Sequence, residues 1–325
     1  MSGTEDDLKV FSGRGHPRLA QRICDHLEIS LGRAETENFP DGELFVRLLE
    51  DVRGRDVFIV QPTCQPVNEN LLELLIFADC VRRASARRIT VVLPYFAYAR
   101  QDRKDEGRTP ISAKLVSNLI TTAGADRVLA LDLHAAQIQG FFDIPVDHLS
   151  AEPIFTQHFR NGSRAASHAS SGVVFVSPDV GNVKRARFYA QRLGCDLAII
   201  DKRRVNGSKA VVENIIGDVE GRDVIMIDDM IATGGTVCEA ARICRQRGAR
   251  SVRAAATHAV LCGPAYERLE AAPFDELVVT DSIPLSDAAR RRLPFLKELT
   301  CASLLGEAIR RIHMNQSVSS LFLKS

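Results

Sequence analysis

The chain has 325 residues, 45% hydrophobic and 26% charged, ordinary values for a globular protein of about two domains. A formal net charge of +1 marks no affinity for nucleic acid or a membrane surface; no apolar run is long enough to span a bilayer, and the acidic start MSGTEDDLKV lacks the basic and apolar parts of a signal peptide. The eight cysteines form no CxxC pair and read as buried free thiols of a reducing cytoplasm.

In chain order, the first cluster is ENFPDGELFVR, where Gly42 permits a turn that carries Phe39, Asp41 and Glu43. DVFIV (56–60) reads as a strand, NENLLELLIFADCVRRAS as a helix and ITVVLPY (89–95) as a strand. Directly after it, YARQDRK supplies Arg100, Gln101, Asp102, Arg103 and Lys104. Arginine offers a phosphate bidentate contacts and lysine a point charge, the alternative being a solvated charged loop. RVLALDL (127–133) is a further strand. Alternation sends Asp132 and His134 to the same side of the chain; the alternative is a packed or solvated histidine. HFRNGSRAASHASSG (158–172) is the most polar and loop-like stretch. The domain boundary is placed just before it, around Leu149–Glu152. This gives an N-terminal domain 1–150 and a C-terminal domain 151–325; the last ~20 residues are either a frayed terminus or a segment packing back on the first domain.

The second half repeats the alternation. Strands are read at GVVFVS (172–177), DLAIID (196–201), DVIMID (223–228), RAAATHAV (253–260) and ELVVTD (276–281), with a helix at NVKRARFYAQRLG. VSPDVGN puts Asp179 and Gly181 at a strand end. IIDKRRVNGSK puts Lys202, Arg203 and Arg204 after a strand and before a mobile loop. In VIMIDDMIATGGTV the apolar run Val224–Ile227 reads as a buried strand, with Asp228 and Asp229 at its carboxyl end. Thr233-Gly234-Gly235-Thr236 then bends with bare amides, and CEAARICRQRG forms a helix that stops at Gly248. Acids beside an anion site suit a sugar phosphate; the alternative is a structural turn. Neither GxxxxGK[ST] nor GxGxxG is present. Alternating strands and helices mean an α/β fold with parallel sheets, whose strand carboxyl ends converge on one cleft. Acids, bases and a phosphate-cradling turn gathered there point to phosphoryl-type chemistry.

FPDGE, YARQDRK, PISAKLV, LDLHAAQIQGFFDIPVDHL, SPDVG, DKRR and IDDMIATGGT follow one another in that order, within a chain running from Phe11-Ser12-Gly13 to SVSSLF. On these motifs the chain resembles the ribose-phosphate diphosphokinase (phosphoribosyl pyrophosphate synthetase) family. The resemblance implies two similar phosphoribosyltransferase type I-like domains, each a mainly parallel sheet flanked by helices, and homo-oligomers, usually hexamers built from dimers. It implies transfer of the diphosphoryl group of ATP to the anomeric hydroxyl of ribose 5-phosphate, with Mg²⁺ as cofactor. Phe39, Asp41 and Glu43 are then similar to an adenine pocket contributed across a subunit contact, and Arg100, Gln101 and Asp102 to ATP contacts. His134 and Asp179 correspond to the metal side, and Lys202 and Arg204 to the catalytic loop. Asp228 and Asp229 correspond to the ribose hydroxyl site, and Thr233, Gly234, Gly235 and Thr236 to the 5-phosphate site.

The chain departs from the family pattern at Ala232, where many members have Asp, and at Asn182, where a second glycine is usual. VNGSK, GRGHP and DEGRTP replace the common loops at their positions. A phosphoribosyltransferase and a non-catalytic regulatory partner of the synthetase are the rival readings. His134, the YARQDRK cluster and DKRR weigh against the first, since an enzyme without ATP has no use for them. Retention of Lys202, Arg204, His134 and Asp179 weighs against the second.

Overall fold

The computed structural model of the chain describes residues 7–104, 106–162, 172–204 and 211–321, the side chains of 162, 180, 202–204 and 211–213 excepted. Two compact units form. The first gathers the described residues up to Ser150, Ser282–Pro284 and those from Thr300 onward; the second holds Ala151–Asp281 and Leu285–Leu299.

In the first unit, β1 (Leu8–Ser12) leads to α1 (Pro17–Leu27) and then to a hairpin of β2 (Ala34–Asn38) and β3 (Leu44–Leu48). β4 (Asp56–Val60), α2 (Val67–Arg83), β5 (Arg88–Leu93), α3 (Ser112–Ala123), β6 (Arg127–Leu131) and β7 (Val146–Leu149) follow. The sheet is parallel throughout, in the order β1-β4-β5-β6-β7. β4 is buried at all five positions, which is why its sequence runs apolar from Val57 without alternation. α2 turns Leu74, Phe77, Ala78 and Val81 into the core, the spacing of a one-sided helix.

The second unit begins with α4 (Glu152–Gly162), β8 (Val173–Ser177), α5 (Val183–Leu193), β9 (Asp196–Arg204), β10 (Val211–Ile216) and β11 (Asp223–Ile231). It continues with α6 (Gly235–Gln246), β12 (Ser251–Ala259), α7 (Ala265–Glu270), β13 (Glu276–Thr280), α8 (Asp287–Arg292) and β14 (Leu296–Leu299). Its sheet order is β10-β9-β8-β11-β12-β13-β14, parallel except for the edge strand β10. From β8 the chain winds outward to β9, and from β11 it winds the other way to β12. The point between β8 and β11 is therefore the topological switch point, where open α/β sheets bind ligands.

α9 (Ala302–His313) returns to the first unit and packs on α1, Gly306 lying so close to His26 that a Cβ would meet its ring at 2.6 Å. The tie is polar as well. Arg88 donates through Nε to Asp56 Oδ1 at 2.8 Å and pairs through Nη2 with Oδ2; that same Nη2 also donates to the Ile312 carbonyl at 2.9 Å. His313 Nδ1 lies 2.8 Å from Asp56 Oδ2. Burial alone would push the Asp56 carboxyl up, but hydrogen bonds from His313 and Arg88 outweigh it and hold it below the ordinary aspartate range.

The α/β class and mainly parallel sheets agree with the sequence reading; several details differ. Asp228 and Asp229 lie inside β11, which runs on to Ile231 paired with β12. Lys202, Arg203 and Arg204 are the last residues of β9 rather than a loop after it, because β10 pairs antiparallel with them through Val211–Glu213; the VNGSK loop lies outside the described residues. Asp132 has φ 40°, so the chain leaves the extended conformation there and strand alternation does not carry on to His134. The first five residues of HFRNGSRAASHASSG complete α4, and 163–171 lie outside the described residues. α6 starts at Gly235, three residues before the CEAARICRQRG run. β1, the hairpin strands, β7, β10 and β14 were not marked by any long apolar run.

Candidate functional site

In the first unit the hairpin tip holds Phe39, Asp41 and Glu43. The Phe39 N–H donates to the Glu43 carbonyl at 2.8 Å, the Glu43 N–H to Asp41 Oδ1 at 3.2 Å, and Gly42 turns the chain at φ 93°. Phe39 is 50% exposed, with its ring 5.7 Å from that of Phe45, an apolar surface of the kind a planar base covers. Asn38 Nδ2 donates to the Gly42 carbonyl at 3.2 Å, and Arg14 Nη1 donates to Asn38 Oδ1 at 2.7 Å. Arg14 is braced in turn by buried Glu73, 3.2 Å from its Nε. The arginine of the unusual GRGHP turn thus steadies the hairpin tip.

Arg100, Gln101 and Asp102 lie in the loop after β5. Gln101 is fixed by Ser112, and Asp102 Oδ2 accepts from Gln137 Nε2 at 2.6 Å. Gln137 belongs to the short 3-10 segment Ala136–Phe141 that follows His134. The Arg100 loop and the His134 loop are therefore brought together, and Arg100 and His134 are exposed. Leu133 N–H donates to His148 Nε2 at 2.9 Å and fixes the backbone beside His134. Among the described residues no hydrogen bond or ion pair joins the hairpin tip to Arg100, Gln101 or Asp102. Gln137 was not singled out in the sequence, though its place three residues after His134 was the available signal.

In the second unit the switch point assembles Asp179, Asp228, Asp229 and Thr233–Thr236. β8 pairs with β11 only as far as Phe175↔Ile225. Beyond that the strands part, and the Asp179–Asn182 turn enters the gap. Asp179 Oδ1 accepts from the Asn182 N–H at 3.0 Å, while Asn182 Nδ2 donates to the Ile227 carbonyl at 3.2 Å. The asparagine that departs from the family glycine is thus a strut between the turn and β11. Arg185, in the first turn of α5, lies 3.9 Å from Asp229 Oδ1. Sequence reasoning missed this cation, which reads as one of several basic residues in NVKRARFYAQRLG.

Asp229 is buried at 6% exposure, and its N–H donates to Asp228 Oδ1 at 2.8 Å. Burial first, then the hydrogen bond and charge of Asp229, push the Asp228 carboxyl up to about 7, with Arg185 opposing the rise. Three residues past β11, Gly234 adopts φ 71° and N-caps α6 without a side-chain cap. The first amides of a helix have no partner within it, so this turn presents N–H groups and a positive dipole end to an anion. Thr233 and Thr236, both exposed, add hydroxyls. Lys202 and Arg204 are placed by backbone alone, at the end of β9.

No group of three or more His, Cys, Asp or Glu is arranged to hold a metal ion among the described residues. All eight cysteines are free, and burial pushes the Cys24 and Cys244 thiols up to about 12, so neither is a thiolate ligand or nucleophile. No described helix is long and apolar enough to cross a membrane.

A family model described as the N-terminal domain of ribose phosphate pyrophosphokinase matches residues 8–124, and one described as a phosphoribosyl synthetase-associated domain matches residues 204–323. A ribose-phosphate pyrophosphokinase of Rhodopirellula baltica is 57% identical over 317 residues, covering 97% of this chain and 98% of its own length. Its counterpart in Neisseria meningitidis serogroup A is 53% identical over 318 residues, covering 98% and 95%. The crystal structure of phosphoribosylpyrophosphate synthetase from Mycobacterium smegmatis matches with a TM-score of 0.88 at 42% identity, covering 95% of this chain and 99% of that one. With identity of this order over nearly its whole length, the chain belongs to the ribose-phosphate pyrophosphokinase family.

Proposed function

We propose that the chain transfers the β,γ-diphosphoryl group of ATP to the anomeric hydroxyl of ribose 5-phosphate. The hydroxyl oxygen bonds to the β-phosphorus, the bridge between the α- and β-phosphates breaks, the hydroxyl proton is lost, and AMP leaves. The observation that carries this reading is the pairing of Asp228 and Asp229 with the uncapped start of α6 at the switch point. A phosphate on the amides of Thr233–Thr236 leaves the ribose ring beside two carboxylates, which accept hydrogen bonds from its hydroxyls.

ATP binds to the first unit in this reading. Phe39 covers the base with help from Asp41 and Glu43, and the Arg100–Asp102 loop grips the phosphates. Lys202 and Arg204, at the end of β9, are assigned to the transferred group, where added positive charge lowers the barrier of a reaction governed by positioning and electrostatics. His134 and Asp179 are the residues assigned to Mg²⁺. Asp179 commits one oxygen to Asn182, and no three-residue cluster is present among the described residues. Such a sparse donor set fits an ion held mainly by substrate phosphates and water. When bound, Mg²⁺ supplies charge neutralisation on the phosphate oxygens.

In this reading the working form is a cytoplasmic homo-oligomer, a hexamer built from dimers. Free buried cysteines suit a reducing compartment, and exposed Leu115 and Leu119 on α3 suit a covered subunit face. The deciding assay incubates the protein with ATP, ribose 5-phosphate and Mg²⁺ and identifies the nucleotide product. AMP is expected; ADP would mean an ordinary kinase, and no turnover a non-catalytic partner.

A further inference from the structure

Of the two glycines in the α6 turn, only Gly234 has a left-handed backbone, φ 71°. Gly235 is the first residue of α6, in a conformation open to any side chain. What keeps this position small is a neighbour. A Cβ on Gly235 would lie 3.2 Å from Arg268 Nη1 and 3.9 Å from Thr233 Oγ1. The same Nη1 donates to the Thr233 carbonyl at 3.2 Å. The Arg268 guanidinium therefore lies against the backbone of the turn, and the glycine makes room for it.

The charge of Arg268 is not consumed by its own helix. α7 carries Glu267 and Glu270, and both are held by Arg292: its Nε and Nη2 each lie 2.7 Å from Glu270, and its Nη2 lies 3.1 Å from Glu267. Arg292 also stacks 5.1 Å over the Tyr266 ring. Among the described residues no carboxylate lies within ion-pair distance of Arg268, whose side chain is exposed. An exposed cation placed against a turn with uncapped amides, while the adjacent acids are engaged elsewhere, is arranged for an anion.

We infer that Arg268 is a binding residue for the 5-phosphate of ribose 5-phosphate, one guanidinium nitrogen resting on the Thr233 carbonyl while the others reach phosphate oxygens. This rests on the sugar-phosphate site proposed above. It also explains what a helix N-terminus alone does not: a dianion needs more positive charge than a dipole end of roughly half a unit provides.

The test compares Arg268→Gln and Arg268→Lys with the unaltered chain. Steady-state AMP formation gives KM for each substrate, calorimetry gives ribose 5-phosphate affinity without turnover, and D-ribose serves as a competing ligand that lacks the phosphate. Arg268→Gln should weaken ribose 5-phosphate about ten- to thirtyfold by both measures, the loss of one charge-assisted contact. Its kcat, its KM for ATP and its inhibition by D-ribose should stay unchanged. Arg268→Lys, which keeps the charge, should lose clearly less. An unchanged ribose 5-phosphate affinity in the Gln variant overturns the inference. So does an equal loss toward D-ribose or ATP, which would make Arg268 a strut for the turn. Should Arg268→Gln not fold, a Lys variant as weak as a null for ribose 5-phosphate overturns it too. If the unaltered chain binds ribose 5-phosphate but forms no AMP, the proposed function fails while the binding comparison still decides the role of Arg268.

Discussion

Asp228→Asn should make the unliganded protein more stable while crippling it. Asp228 and Asp229 are neighbours on one strand, one of them buried, and their repulsion is offset in part by Arg185 near Asp229 and by the Asp229 N–H on Asp228. Raising a carboxyl from 3.8 to about 7 sets a ceiling of about 4 kcal/mol on the cost of ionising it in the folded state. Partial solvent access and relaxation reduce the expected relief to about 1–2 kcal/mol. The direction with pH follows from proton counting. Between about pH 4 and 7 the folded chain holds a proton at this site that the unfolded chain has released, so this site's contribution to stability falls as pH rises through that window and is lowest above it. Asparagine has no such dependence. The stability gain of Asp228→Asn should thus be small near pH 5 and reach its plateau above pH 7, as a melting temperature about 2–4 °C higher at pH 8. Scanning calorimetry of both proteins from pH 5 to 8 measures it. A variant no more stable at pH 8, or a difference that does not change with pH, refutes the reasoning.

Asp229→Asn should raise KM for ribose 5-phosphate and leave that for ATP alone; titrating both substrates decides it, and an effect confined to ATP places this acid elsewhere. Lys202→Ala should lower kcat on the order of a hundred- to a thousandfold, the usual loss of one transition-state contact, with an unchanged melting temperature; near-normal turnover removes the lysine from the mechanism. Asp56→Ala leaves Arg88 and His313 without their shared carboxylate, and urea denaturation should show the first unit weakened by about 3 kcal/mol. In the unaltered chain that contribution is present above the ordinary aspartate range and fades as pH falls through the depressed Asp56 value. The tail is held where Arg311 donates to the Ser317 carbonyl at 3.1 Å and bonds Ser320. Deleting 316–325 should loosen the proposed oligomer, checked by light scattering; an unchanged mass refutes the expectation.

The strands that line the second-unit site were legible because burial on both faces leaves short uninterrupted apolar runs, as in Val224–Ile227 and Val173–Val176. The hairpin of β2 and β3 was not, since AETEN carries no continuous apolar face of its own and its register is set by pairing with β3. β10 escaped for a related reason: an antiparallel edge strand has its register set by its neighbour, here β9. The acids and the glycine turn of the site stood out by residue type and spacing. Their supports did not. Gln137, Arg185 and Arg268 are ordinary polar residues on helical or turn segments, and only the fold reveals that each meets Asp102, Asp229 or Thr233. Distance along the chain carries no periodicity to betray a partner.

The bond between Asp56 and His313 spans 257 positions, and that span bears on how the protein is made. A chain emerging from the ribosome N-terminus first releases β4 and β5 long before α9 exists. Through that interval the nascent first sheet holds a carboxylate destined for full burial but still lacking its imidazole, and an α1 face with nothing laid over it. Until then Arg88 alone pairs with that carboxylate, so its last partner joins only after the second unit has been translated. A chain that stops within the second unit therefore carries a first unit whose α1 face and Asp56 lack their α9 partners.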